Sequence, residues 1–367
     1  MQLEPGDVLR MGADRWRIKS IADSETRKIE AVAHDPAVYG AAPGAARVIT
    51  ITVPPLYGPP DFAMMNLALT TAQNSAAPWL VAQATPWPGA LALYKKTGDA
   101  SFTFNRLLSQ QATMATTLQA LPSGLPHRID NRFTLDVLMR YGALTSISKD
   151  ELLNGGNLAA IGSATTGYEI IQFQSATLVA TGTYRLAGFL RGQAGSEPEM
   201  LAARVAGESL MLLNAAAVQP ELPATEAGLT KTWRLGPSQL DLGHSSYAEF
   251  NVTGLLLALR PLKPTQLKSS TDLTGIQINW IRRGRIDSDS WDVVEIPLGE
   301  DNELYQLSIL DGAVLKRSVT ITSPNYLYTM ANIIADFGTM PASLTLRVAQ
   351  VSAAYGAGAI LERTINV

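Results

Sequence analysis

Glycine and proline interrupt the apolar runs of this chain at short and fairly regular intervals along its 367 residues. There are 29 glycines and 21 prolines, and they are spread along the chain rather than clustered. Short apolar runs bounded by turn residues are typical of strands, whereas convincing helical periodicity is rare in this sequence. The pattern therefore predicts an all-β protein, and the length predicts several domains.

The charge balance and the missing cysteine limit the chemistry of the chain. Lys and Arg number 29 and Asp and Glu number 32, so the net charge of −3 gives no electrostatic footprint for specific nucleic-acid binding. The chain has no cysteine, which excludes disulfides, thiolate nucleophiles and cysteine-ligated zinc. No apolar stretch approaches 18 residues, so we expect no membrane span. We also expect no cofactor.

Composition and turn signals divide the chain into three predicted domains. Residues 1–58 supply a few strands, too few for an independent core, so we expect them to complete a sheet that is supplied either by another polypeptide or by further sequence of a longer protein. Residues 59–258 are rich in hairpins, with 216–243 predicted as a connecting segment. Residues 259–367 hold about seven short strands and one tryptophan suited to a core, the number expected of a β-sandwich.

Three local signals are specific enough to name. Asp311-Gly312, between two apolar runs, predicts a hairpin turn. Ser148 is predicted to cap a short helical turn that contains Glu151, with Gly155 as its stop. In the stretch "PDFAMMNLALTTAQN" from Pro60, the spacing of the apolar residues fits a helix and a strand equally.

No recognisable catalytic motif is present. The three histidines, His34, His127 and His244, are far apart and lack ligand spacing. "LRGQAGSE", residues 190–197, lacks the lysine of a phosphate-binding loop, and its glycines suit turns with positive φ. We therefore expect no catalytic residue and no metal site, and we expect that the protein is not an enzyme. A glycosidase or peptidase remains an alternative hypothesis.

Charged residues concentrate once, in "RRGRIDSDSWDVVEIPLGEDNE" at 282–303. Asp287-x-Asp289 could begin a calcium loop, but the glycine and terminal glutamate of an EF-hand are missing from their places. An aromatic residue among charges suits a protein or sugar partner, and it suits equally a side chain that folds back onto the sandwich. The predicted contact residues are Arg282, Arg283, Arg285, Asp287, Asp289 and Trp291.

Three long stretches carry a resemblance to a known family: "LEPGDVLRMGADRWRIKSIADSETRKIEAVAHDPAVYG", "YRLAGFLRGQAGSE" and "INWIRRGRIDSDSWDVVEIPLGEDNELYQLSILDG". They resemble the C-terminal part of the "megatron" tail-tip proteins of gene transfer agents and related siphophages, which are distantly similar to lambda-type host-specificity tail proteins. The glycoside-hydrolase-like barrel in the N-terminal part of such proteins has no counterpart here, so wall degradation is not implied.

The resemblance implies a structural component of a tail tip or baseplate hub that closes the distal tail and contacts the host surface. It implies a homotrimer in the virion, made in the host cytoplasm, with other tail-tip and hub proteins as partners. It further implies a partial hub-type β-barrel at 1–58 and a fibronectin type III-like sandwich at 259–367 with Trp280 in its core. The "LRGQAGSE" turn would close a hairpin without chemistry.

The alternative function is a binding module for a receptor or a polysaccharide, acting through the loop 282–302.

Overall fold

The structure is a computed structural model in which strands dominate, with 48% of residues in strands and 8% in helices. The all-β class expected from the glycine and proline spacing is therefore confirmed. The chain divides into two compact units, Met1–Pro55 and Leu56–Val367. The described residues are 2–39, 56–69, 76–200, 203–286 and 295–367.

The first unit contains a three-stranded antiparallel sheet in the order β1-β2-β3. Its elements are β1 (Val8–Met11), β2 (Asp14–Asp23), β3 (Arg27–Ala33) and α1 (Pro36–Tyr39). In the described part of this unit, Ile18 is the one apolar side chain that is fully buried, at 2% exposure. A sheet of three short strands with so little buried apolar surface has little core of its own.

The second unit begins with the elements β4 (Asp61–Met65), β5 (Trp79–Gln83), β6 (Leu91–Lys96), β7 (Thr103–Leu108), β8 (Met114–Thr117), β9 (Leu121–Pro122), β10 (Leu135–Tyr141), α2 (Lys149–Leu153), β11 (Leu158–Ser163), β12 (Gly167–Ala180), β13 (Thr183–Leu190), β14 (Ala203–Arg204), β15 (Ser209–Leu212), β16 (Thr230–Pro237) and β17 (Ala248–Thr253). The stretch after Pro60, undecided from sequence, forms the strand β4, which pairs with β5.

Six of these strands close into an antiparallel barrel in the order β10-β13-β12-β11-β15-β8. Leu135 and Val137 on β10, and Ile171 and Phe173 on β12, are spaced by two residues and fully buried in one apolar cluster. Side chains alternate across a strand, so this spacing fills the barrel interior. The long hairpin of β12 and β13 extends beyond the barrel, because residues 177–180 are exposed.

A four-stranded sheet in the order β17-β16-β6-β7 stands beside the barrel. Its strand β16 lies inside 216–243, so the predicted connecting segment is wrong for these residues. Lys231, Trp233 and Leu235 on β16 are buried at alternate positions, and Trp233 is 1% exposed. The prolines and glycines around β16 concealed this period-two pattern.

Residues from 265 onward form a β-sandwich. Its elements are β18 (Thr265–Asp272), β19 (Gly275–Ile281), β20 (Tyr305–Asp311), β21 (Val314–Ile321), β22 (Asn325–Thr329), α3 (Met330–Phe337), β23 (Ser343–Ser352), β24 (Gly356–Ala357) and β25 (Leu361–Asn366). One sheet has the order β18-β19-β22, and in the other β20 and β25 flank β23, with β21 beyond β20.

The β-sandwich predicted for this part of the chain is therefore confirmed. Trp280 is 3% exposed and packs edge-on against Tyr305 across the core, with ring centroids 5.2 Å apart. The Asp311-Gly312 hairpin is also confirmed, since it joins β20 to β21.

The helices are few and short. Ser148 caps α2 as predicted: its hydroxyl accepts from the Glu151 backbone N–H, and Glu151 accepts in return from the Ser148 backbone N–H. The longest helix in the described part of the chain has eight residues, and no helix there could cross a lipid bilayer.

Candidate functional site

The turn that follows β13, residues 191–199, is where charged side chains of the second unit converge. It consists of two 3-10 turns, Gln193–Gly195 and Glu197–Glu199. Gly192 has φ 58° and Gly195 has φ 81°, which confirms the expected positive φ. The hairpin implied by the family resemblance is wrong, because β13 pairs with β10 and β12 whereas β14 pairs with β9.

A buried ion pair fixes this turn to the barrel. Arg191 donates from Nε and Nη2 to the two carboxylate oxygens of Glu169 on β12, at 2.7 and 2.8 Å. The two side chains are 1% and 0% exposed. The Gly192 backbone N–H donates to the same carboxylate at 3.0 Å, and the guanidinium of Arg204 lies 3.8 Å away. A charge buried this deeply requires such partners, so the turn has one well-defined position on the barrel.

The opposite side of the turn presents two carboxylates to residues nearer the C-terminus. Glu197 accepts from Arg283 Nη1 at 2.6 Å. Glu199 accepts from both terminal nitrogens of Arg260, at 2.6 and 2.8 Å. We call Glu197–Arg283 and Glu199–Arg260 the junction ion pairs. They connect the turn 191–199, which we call the barrel turn, to the sandwich and to the segment that leads into the sandwich.

His127 lies at the edge of this cluster. Its Nε2 is 3.8 Å from Oε1 of Glu197, and its backbone has φ 62°. Burial lowers the pKa of His127, and the nearby charge of Arg283 lowers the pKa further, against the opposing effect of Glu197. The imidazole is therefore held more toward its neutral form than a free histidine would be.

The structure separates the residues predicted as partner contacts. Arg282 donates to the backbone carbonyls of Ile296 and Pro297, the latter at 3.1 Å. Arg285 pairs with Glu300 at 3.0 Å and donates to the Gly299 carbonyl at 2.6 Å. These two arginines therefore hold the base of the loop between β19 and β20, and Arg283 points to the barrel turn instead. The predicted contacts Asp287, Asp289 and Trp291 lie outside the described residues.

Sequence reasoning missed most of the cluster. Glu169, Arg191, Glu197, Glu199 and Arg260 were not predicted as a group. One signal was available, because Glu169 interrupts the apolar run "GYEIIQF", and a charge inside a buried strand needs a partner. Within the described residues, no group of three or more His, Asp or Glu side chains could hold a metal ion.

The turn and the barrel fall within the region that matches a known family. The family profile described as "Rcc01698-like, C-terminal" matches residues 112–211, which run from just before β8 into β15. The search among curated proteins gave no match.

Among solved structures, the chain matches the crystal structure of the rat CD45 extracellular region, domains d3–d4, at 11% identity. This match covers 40% of this chain and 68% of that one, with a TM-score of 0.23. At that score the superposition carries no argument, and the sandwich assignment rests on its own strand order.

From the family profile, the barrel of this chain is similar to the C-terminal domain of the Rcc01698-like family, which is associated with gene transfer agent proteins.

Proposed function

We propose that this protein is a structural subunit of a phage-like tail tip, of the siphophage or gene transfer agent type, and that it is not an enzyme. The observation that carries the proposal is the match of the barrel to a family associated with gene transfer agent proteins. The megatron resemblance of the flanking stretches extends the same idea to residues outside the matched region. In this proposal the protein belongs to the virion tail tip and is made in the host cytoplasm.

The architecture suits a protein that gains stability from assembly. In the described part of the first unit, β1 and β3 each have one strand neighbour, so each leaves one edge unpaired. Val8, Met11, Ile29 and Val32 on this sheet are between 38% and 69% exposed. Open edges and exposed apolar side chains are liabilities unless another chain covers them. We propose that other hub proteins, or further copies in a homotrimer, supply that cover.

The test is the mass of the chain in solution by light scattering, alone and after mixing with candidate tail-tip proteins from the same source. We expect a trimer or a defined ring. Val32→Lys on the edge strand β3 should prevent that assembly, because it places a charge on the covered edge. Leu273→Lys, at a position that is 96% exposed, is the matched control and should assemble normally. A stable monomer that ignores the neighbouring proteins would refute the proposal.

A second candidate function is recognition of a host receptor or polysaccharide through the loop 282–302. The favouring observation is that Arg282 and Arg285 hold both ends of this loop together through backbone carbonyls at 296, 297 and 299. A fixed base suits a presented binding loop. Particles in which residues 287–294 are replaced by a glycine-serine segment of equal length should assemble but fail to adsorb. Normal adsorption would exclude this candidate.

A further inference from the structure

The barrel and the sandwich share no apolar core in the described part of the chain. The buried apolar cluster of the sandwich runs from Leu267 to Ile365. The other three clusters draw all their members from residues 62–252. Apolar burial is the largest stabilising contribution between packed layers, so another interaction must hold the sandwich in place.

The junction between them is incompletely filled. A solvent-open groove of 420 Å³ lies between the turn 191–199 and the sandwich. Glu197 and Pro198 line it from the turn, and Tyr355 and Ile360 line it from the sandwich. One close apolar contact is indicated at Gly195, where an added Cβ would lie 2.3 Å from Leu262 Cδ2. On the sandwich side, an added Cβ at Gly358 would lie 2.6 Å from Pro261 Cβ, so the packing at the junction runs through the connecting segment and not through a shared core.

The charges on the turn are buried unequally. On the barrel side, Arg191, Arg204 and Glu169 are no more than 1% exposed. On the other side, the Arg283 side chain is 24% exposed and the Arg260 side chain 10% exposed. Water and counterions reach partly exposed pairs more easily than fully buried ones. The pairs on the sandwich side should therefore break first, while the turn stays on the barrel.

The junction carries more positive than negative charge. Arg260, Arg283 and Lys263 stand against Glu197 and Glu199, and His127 adds a further positive charge when protonated. Removing one carboxylate leaves the cations to repel one another. Each of the two carboxylates therefore offsets part of an excess of positive charge at the junction.

We infer that the junction ion pairs hold the sandwich in one orientation on the barrel, and that breaking them releases the sandwich to move as a folded unit. Glu199–Arg260 fixes the segment between β17 and β18, and Glu197–Arg283 fixes the sandwich itself. The turn 191–199 then acts as the element that sets the direction in which the sandwich points.

The test measures one distance between the two parts. The chain has no cysteine, so Ala180→Cys at the exposed tip of β12 and Leu273→Cys in the sandwich give a unique pair of spin-label sites. We expect a narrow distance distribution at low salt that broadens at high salt. In the same background, Glu199→Gln should broaden the distribution about twofold even at low salt, because the remaining cations repel.

Two controls separate release of the sandwich from general loosening. Asp136→Asn breaks the exposed pair of Asp136 with Arg185 on the barrel and should leave the distribution narrow. The exchange Glu199→Arg with Arg260→Glu restores opposite charges and should recover the narrow distribution. Far-UV circular dichroism should show folded protein in every variant.

A distribution that stays narrow both in Glu199→Gln and at high salt would overturn the inference. A distance distribution as narrow in the variant with exchanged charges as in Asp136→Asn would support the inference. If Glu199→Gln fails to fold, the salt series on the otherwise unaltered chain and the exchanged pair still decide the question.

Discussion

Arg191 and Glu169 form a two-point ion pair from which water is excluded, although they are 22 residues apart in sequence. The pair joins the end of β13 to the beginning of β12. Its position explains why the chain can leave the barrel through a turn of unusual backbone conformation. The turn is anchored by charge at its first residue, before its glycines are reached.

Breaking this pair should be costly. Arg191→Met should lower the free energy of unfolding by about 3 to 5 kcal/mol, because the Glu169 carboxylate stays buried without its main partner. Arg185→Met is the matched control, since Arg185 pairs with Asp136 at a position where its side chain is 52% exposed. That control should cost less than about 1 kcal/mol. Urea unfolding followed by circular dichroism measures both, and equal losses would contradict the prediction.

The contact between the turn and Leu262 can be tested with two glycines of similar backbone conformation. Gly195 has φ 81° and faces Leu262, whereas Gly207 has φ 89° and open space where its Cβ would be. Gly207→Ala should cost about 1 kcal/mol from backbone strain alone. Gly195→Ala should cost about 1 to 3 kcal/mol more, because Leu262 must move. Equal urea midpoints for the two variants would show that Leu262 yields freely.

The cap of α2 should contribute measurably despite the shortness of the helix. Ser148→Ala removes the acceptor for the Glu151 N–H and should lower stability by about 1 kcal/mol. Lys149→Ala, at the exposed first position of the same helix, should change stability by less than about 0.5 kcal/mol. Thermal unfolding of the two variants in parallel checks the difference. A larger effect from Lys149→Ala would rule out the cap as the source.

Asp130 should make part of the stability depend on pH. Hydrogen bonds from the Arg132 side chain, at 2.6 and 2.8 Å, are the main cause that holds its pKa well below the usual 3.8. The folded state therefore favours the ionised carboxylate, so its contribution is present above pH 3.8 and is lost as the pH falls toward the depressed value.

Asp130→Asn should accordingly lower stability by about 1.5 to 3 kcal/mol at neutral pH, as expected for hydrogen bonds to a charged group. The difference from the unaltered chain should shrink in urea titrations near about pH 3. A difference that is the same at both pH values would mean that the charge of Asp130 is not responsible.

The signals that succeeded from sequence are local ones. Ser148 and Glu151 form their capping box within one turn, and Asp311-Gly312 connects neighbouring strands, so spacing alone identifies both. The strand β16 was missed because it lies between prolines and glycines, although Trp233 is at the centre of its sheet. When glycine and proline lie close to a short strand, their turn signal conceals a weak alternation of buried and exposed residues along that strand.

The ion pairs of the turn could not be predicted in the same way. Arg283 meets Glu197 across 86 residues, and no periodicity relates positions that far apart. The sequence predicts Arg282, Arg283 and Arg285 as one contact surface, but in the fold Arg283 binds Glu197 on the barrel turn, whereas Arg282 and Arg285 hold the base of the loop. Neighbours in sequence on an irregular segment need not share a face, so composition located the charges without assigning their partners.

Closure of the barrel determines where the chain tolerates added sequence. Each of the six strands already has a partner on both sides, so a further strand can be inserted only by breaking the backbone hydrogen bonds between two neighbours. The tip joining β12 to β13, from Ala180 to Thr183, projects away from that closed ring. A peptide epitope or a fluorescent domain grafted at this tip would therefore be displayed at the end of a rigid arm, with the ring below it unchanged.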